Sequence, residues 1–149
     1  MSEHRATIRW NRGSGDFSYE TYPRDHIWEF ENGLRIEASA APGFNGSPEN
    51  VDPEEAYVAA LSSCHMLTFL AIAARKRFVV DSYSDSALGH LEKNENGKLA
   101  ITRVVLRPEV SFAAESGPSS EGLERLHHLA HTECFIANSV HTSISIEGG

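Results

Sequence analysis

The stretch Asp52 to Arg75, DPEEAYVAALSSCHMLTFLAIAAR, constrains the chain more than any other. Asp52 suits an N-cap, Pro53 the first helical position, and Glu55 stands three residues after the cap, as a capping box requires. No Gly or Pro follows for more than twenty residues. Ala, Leu and Met dominate the interior, and all tolerate helix well. From Ala56 to Ala74 the segment is apolar almost all round, so burial on most faces is expected. A helix of this length in 149 residues must be the spine of the fold. It carries Cys64, one of only two cysteines, at mid-span.

Around that spine the pattern is mostly strand. Ala6 to Trp10 alternates apolar and polar residues, the period of a half-buried strand. Phe17 to Tyr22 reads as its returning partner, extended by His26 to Phe30 beyond Pro23, which marks a bulge or an edge. Asn32-Gly33 favours a type I′ hairpin into a third strand, Leu34 to Ser39. After the helix, Phe78 to Glu92 reads as one long strand with Val80, Tyr83 and Leu91 inward. The Asn94–Gly97 turn leads into a returning strand, Leu99 to Phe112. Ser119 or Ser120 can cap a second helix bearing Leu123, Leu126, Leu129 and Ala130 on one face. Cys134 follows its end, Phe135 to Ser139 can add a helical turn, and His141 to Glu147 alternates as a last strand. The order is βββ-α-ββ-α-β, and strands grouped apart from helices mean α+β.

No linker, repeat or low-complexity segment divides the chain, so one domain over residues 1–149 is expected. The net charge of −8, from 21 acidic and 13 basic residues, argues against nucleic acid as a partner. The longest apolar run, Met66 to Ala74, is too short to span a bilayer, and Ser2 to Asn11 is polar, unlike an export signal. A cytoplasmic protein away from membranes is the expectation. In that reducing compartment two cysteines point to chemistry, metal or simple burial rather than to a staple. Two small sheets cannot cover a helix apolar on nearly every face, which suggests an intertwined homodimer with the long helices packed together.

Cys64 as a small buried hydrophobe is the plain reading. Ser62, Ser63 and His65 beside it argue that this spot faces a pocket or interface. Cys134, at an adjustable helix end, completes the layout of a peroxidatic and a resolving cysteine. The first becomes a sulfenic acid, and the second condenses with it to a disulfide that an external dithiol must reduce. A buried thiol resists ionisation, so this chemistry needs a nearby cation and a carboxylate to hold it. Glu54 is a candidate carboxylate, but it lies ten residues before Cys64, roughly 15 Å along a straight helix. Sharing a site would require a break near Ala60 to Ser63. Otherwise Glu54 is favourable charge in a first turn. A competing constellation is His127 and His131, at i and i+4 on the second helix, with Cys134 or Cys64-His65 completing a zinc site. No further carboxylate or cysteine pattern closes such a site.

Pro53-Glu54-Glu55 followed by Ala59-Ala60-Leu61-Ser62-Ser63-Cys64 resembles the signature of the OsmC/Ohr family of thiol-dependent peroxidases. The second cysteine, the last strand and the element order fit the same family over nearly the whole chain. The resemblance implies an intertwined dimer with two active sites at the subunit interface. It implies reduction of organic hydroperoxides or hydrogen peroxide, with no bound cofactor and a dithiol such as a lipoyl group as reductant. Cys64 would then be peroxidatic, Cys134 resolving, and Glu54 the partner of an activating arginine. Arg24, in YPRDHIW, is the first candidate for that arginine, and His26 would share its face and pocket. Arg35 is the second, with pairing to Glu37 or Glu31 on a solvated strand as its plainer role. In the family a Pro commonly follows the second cysteine, whereas Phe135 stands here, which places the chain near an uncharacterised OsmC-like branch. An OsmC-fold protein that binds a small apolar ligand without peroxidase activity is the alternative, and a His127/His131 metal protein the third.

Overall fold

The computed structural model describes residues 1–148. The chain forms two compact units, Met1–Ala56 and Tyr57–Gly149. In the first, β1 (Ala6–Arg9), β2 (His26–Phe30) and β3 (Arg35–Ala38) make an antiparallel meander in that order. Phe17 to Tyr22 is not a strand. Ser18 O accepts from the amides of Thr21 and Tyr22 (3.1 and 2.9 Å), and the rings of Trp10, Phe17 and Tyr22 cluster 5.0–6.4 Å apart. These aromatics pack on one another rather than alternating across a sheet. The β2–β3 hairpin also departs from type I′. Phe30 pairs with Leu34 across a three-residue loop, and within that loop only Gly33 has positive φ (86°), the geometry of a type I turn followed by a left-handed residue.

The first turn of α1 (Pro53–Arg75) forms as its residues dictate. The Asp52 carboxylate accepts from the Glu55 amide (2.8 Å) and the Glu55 carboxylate accepts from the Asp52 amide (3.1 Å), a reciprocal box. At the other end Arg77 sits at φ 63°. Its amide donates to Ala74 O and that of Phe78 to Ala73 O, both at 3.0 Å, which closes the helix as a Schellman motif.

The second unit continues with β4 (Val80–Asp85), β5 (Leu88–Lys93), β6 (Leu99–Leu106), β7 (Pro108–Phe112), α2 (Ser120–Glu133) and β8 (Ser143–Ile146). The two long strands expected after α1 are each divided, at Ser86-Ala87 and at Arg107. The amide of Arg107 donates to the Asp85 carboxylate (2.7 Å) instead of to a strand carbonyl, and Pro108 has no amide to offer a ladder. One hairpin thereby serves two sheets: β4 with β7, and β5-β6-β8 with β6 and β8 parallel. Val80 and Tyr83 face the core as expected, whereas Leu91 is 38% exposed.

Two cores draw on α1. Phe69 and Ala73 pack with Leu126 and Ala130 of α2, while Leu61 packs with Val104 and Leu106 of β6. The buried row Leu61, His65, Phe69, Ala73 runs at four-residue spacing. Burial is thus confined to one side. Ala60, Ser63, Leu67, Ala71 and Ala74 form an exposed stripe, with Leu67 60% exposed. By length and composition alone α1 is apolar enough to cross a membrane. Phe69→Ala, at a fully buried position, is expected to cost about 3–5 kcal/mol in urea denaturation. A loss below about 1 kcal/mol would mean that this core is not the one that holds α2.

Candidate active site

Cys64 lies at the middle of α1, half-buried, and Cys134 is the C-cap of α2, buried. Ser119 caps the start of α2, its hydroxyl accepting from the Gly122 amide at 3.1 Å, so the helix delivers Cys134 at its far end. The two thiols lie close enough for Cys64 to perturb Cys134. Burial, and then the Cys64 thiol beside it, push the Cys134 thiol above the ordinary cysteine range. The Ala137 amide, 3.5 Å from its sulfur, pulls more weakly the other way. Cys134 is therefore kept protonated and shielded, and Cys64 is the less buried of the two.

The polar residues flanking Cys64 point to different places. Ser63 is exposed, and the Ser62 hydroxyl donates to Asp85 Oδ2 at 2.5 Å. His65 faces inward rather than into a pocket, 1% exposed. Its Nε2 lies 3.0 Å from Nδ1 of His127, which is 4% exposed, with the two rings stacked at 8°. His127 also stacks on Phe69 at 4.5 Å. Burial first, then the neighbouring His127 and His131, lower the His65 pKa to about 4, against a weaker pull upward from Asp85. Burial lowers that of His127 too. His128 is exposed and His131 half-buried.

Among the described residues no group of three or more His, Cys, Asp or Glu is arranged to hold a metal ion. Sequence reasoning missed the His65–His127 pair and Asp85. The visible signal was His65 itself, four residues from both Leu61 and Phe69 in the buried row.

The pair makes stability depend on acidity. The folded pKa of His65 lies below its ordinary 6.5, so the unfolded chain takes up the proton first. Stability is complete above pH 6.5 and falls as pH drops towards 4, by up to about 3 kcal/mol. Urea midpoints at pH 7 and 4.5 should differ by less in His65→Gln than in the natural protein. Equal differences would contradict this assignment.

In the first unit, Arg24 precedes β2 rather than lying on a strand. Its guanidinium donates to Tyr22 O and Tyr19 O (both 2.6 Å) and lies 3.6 Å from the centre of the Tyr22 ring. His26 follows on β2 with its tautomer set: Nδ1–H donates to Arg24 O (2.8 Å) and Nε2 accepts from the Trp28 indole (3.0 Å). Arg24 and His26 line one cavity of about 470 Å³, walled by Ile8, Trp10, Phe17 and Pro53. Arg35 is exposed and pairs with Glu29 at 3.6 Å, not with Glu37 or Glu31. Glu54, beside Pro53, is half-buried, and its Oε2 is buried with no hydrogen-bond partner. Because α1 is unbroken, it holds Glu54 about 15 Å from Cys64 of the same chain.

Residues 46–148 match the family described as OsmC-like protein. The chain belongs to the OsmC-like family. An OsmC-like protein of unknown function from Vibrio cholerae is 53% identical over 99% of both chains, with a TM-score of 0.95. An organic hydroperoxide resistance protein from Elizabethkingia anophelis is 19% identical, covering 98% of this chain and 93% of its own, with a TM-score of 0.74. Another, from Bacillus subtilis, is 16% identical over 98% and 97%, with a TM-score of 0.67. These two share the OsmC-like fold with the chain. No curated protein matches it. The βββ-α-ββ-α-β order is that of the OsmC-like fold, with each long strand after α1 divided in two.

Proposed function

We propose that the protein is a thiol-dependent peroxidase that reduces organic hydroperoxides, or hydrogen peroxide, through Cys64. The observation that carries this reading is a half-buried thiol on a rigid helix beside a fully buried, protonated one. The Cys64 thiolate attacks the O–O bond of ROOH, becomes Cys64–SOH, and releases RO⁻, which takes up a proton to leave as ROH. The Cys134 thiol then attacks the sulfenic sulfur, forming the Cys64–Cys134 disulfide as hydroxide leaves and takes the thiol proton to give water. An external dithiol, for which a lipoyl group is suited, restores both thiols by exchange. Membership of a family that includes organic hydroperoxide resistance proteins supports the substrate class.

Arg24 and Glu54 are proposed to stabilise the Cys64 thiolate of a second copy. In support, the Arg24 guanidinium has no carboxylate among its contacts described above, and Glu54 has a buried oxygen without a partner. The unbroken helix and its exposed stripe of Ala60, Ser63, Leu67, Ala71 and Ala74 favour a homodimer over a lone chain. The direct test adds cumene hydroperoxide to reduced protein, counts thiols and weighs the product. Loss of two thiols per chain with a Cys64–Cys134 disulfide is expected. Unchanged thiols at many-fold excess would leave the ligand-binding reading in its place.

A further inference from the structure

The buried polar cluster behind Cys64 is larger than the proposed chemistry needs. Ser62 and His65 come from α1, Tyr83 and Asp85 from β4, and His127 and His131 from α2. Nδ1 of His65, Nε2 of His127, Nδ1 of His131 and the Tyr83 hydroxyl are all buried without a partner. Stranding buried polar atoms is costly, and a Leu–Leu contact would fill the same space without that cost. A neutral imidazole pair offers what a Leu pair lacks, a directional bond with one N–H shared between two rings.

That bond sits where direction matters. His65 is the residue after Cys64, and His127 lies seven residues, about two turns, before Cys134. Beyond the His65–His127 contact and the stacking of His127 on Phe69, α1 and α2 meet through Phe69, Ala73, Leu126 and Ala130, apolar contacts that carry no directional bond. Cys134 is a helix cap, where helices fray. We propose that His65 and His127 are positioning residues for the second thiol step, clamping α2 against α1 so that Cys134 stays seated once Cys64 carries an oxygen. The proposal rests on the peroxidase reading for its physiological setting, though the clamp itself is a property of the two helices. Burial favours the neutral form of both rings, so that one donates its N–H and the other accepts, with Asp85 and His131 the other titratable groups acting on them.

The test follows two rates in the reduced protein, loss of the first thiol and disulfide closure, with cumene hydroperoxide and separately with diamide. Diamide adds to the accessible thiol, and the second thiol then displaces it, so it reads closure without peroxidase chemistry. His127→Leu should leave the first rate within about twofold and slow closure roughly tenfold or more, with Cys64 sulfinic acid accumulating under excess hydroperoxide. His127→Asn, whose amide takes the place of Nδ1, should restore most of the rate, whereas His127→Gln, which reaches past that place, should not. Closure at the natural rate in folded His127→Leu would overturn the clamp. So would equal closure in the Asn and Gln variants, a comparison that stands even if the Leu variant fails to fold. A natural protein inert to hydroperoxide, yet dependent on His127 with diamide, would sink the peroxidase reading and leave the clamp standing.

Discussion

Cys64→Ser is expected to lower hydroperoxide consumption by roughly a thousandfold or more, because a hydroxyl in its place is neither ionised nor nucleophilic towards an O–O bond. The fold should survive, since Cys64 is half-buried and Ser differs by one atom. Cys134→Ser separates the two steps. One thiol should still be lost, but the product should be a sulfenic or sulfinic acid, or a link between chains, instead of the internal disulfide. The order of the roles follows from burial. A peroxide should reach the less buried sulfur first, since Cys134 is 1% exposed and Cys64 half-buried. Full peroxidase turnover by the Cys64→Ser variant in the presence of a dithiol would place the chemistry elsewhere.

The second prediction concerns whose arginine serves which cysteine. Arg24→Met should reduce turnover roughly a hundredfold or more, by removing the charge that favours the thiolate. Co-expressed with Cys64→Ser, it should regain activity. If Arg24 of one copy serves Cys64 of another, each mixed dimer holds one intact site. Random pairing makes half the dimers mixed, so about a quarter of the natural activity returns. Glu54→Gln should behave as Arg24→Met does, at smaller amplitude, because it removes the group that holds the guanidinium rather than the guanidinium itself. No recovery above the two variants alone would mean that each chain activates its own thiol, and the dimeric site would be abandoned.

What could be read from the sequence divides along the range of the interactions. The long helix, its Asp52–Glu55 box and the Ser119 cap are short-range patterns, and they formed where their residues stood. The order of elements and the positions of Cys64 and Cys134, at a helix middle and a helix end, were equally legible. The divided strands were not. Their cause is a side chain, Asp85, taking the amide of a residue 22 positions on, and no periodicity records that. Phe17 to Tyr22 is rich in strand-favouring aromatics, yet these pack on one another and not on a sheet. Asn32-Gly33 signalled a turn correctly but of the wrong type, since a third residue joins the loop. His65 and His127 stand 62 residues apart; the sequence set the first at a pocket or interface and the second in a zinc constellation, and no local pattern records that they pair.

The unequal burial of the two sulfurs also determines what can remain attached to the protein. Any bulky partner that forms a mixed disulfide, a small cellular thiol or a protein, must attach at Cys64. If Cys134 resolves Cys64 as proposed, its attack on each such adduct would expel the visitor and close the internal bond. In that chemistry the hidden thiol would make its half-buried neighbour self-clearing. A lone surface cysteine collects whatever oxidised thiol surrounds it, whereas this one would keep attachments only briefly and exchange them for a bond that a dithiol can reopen.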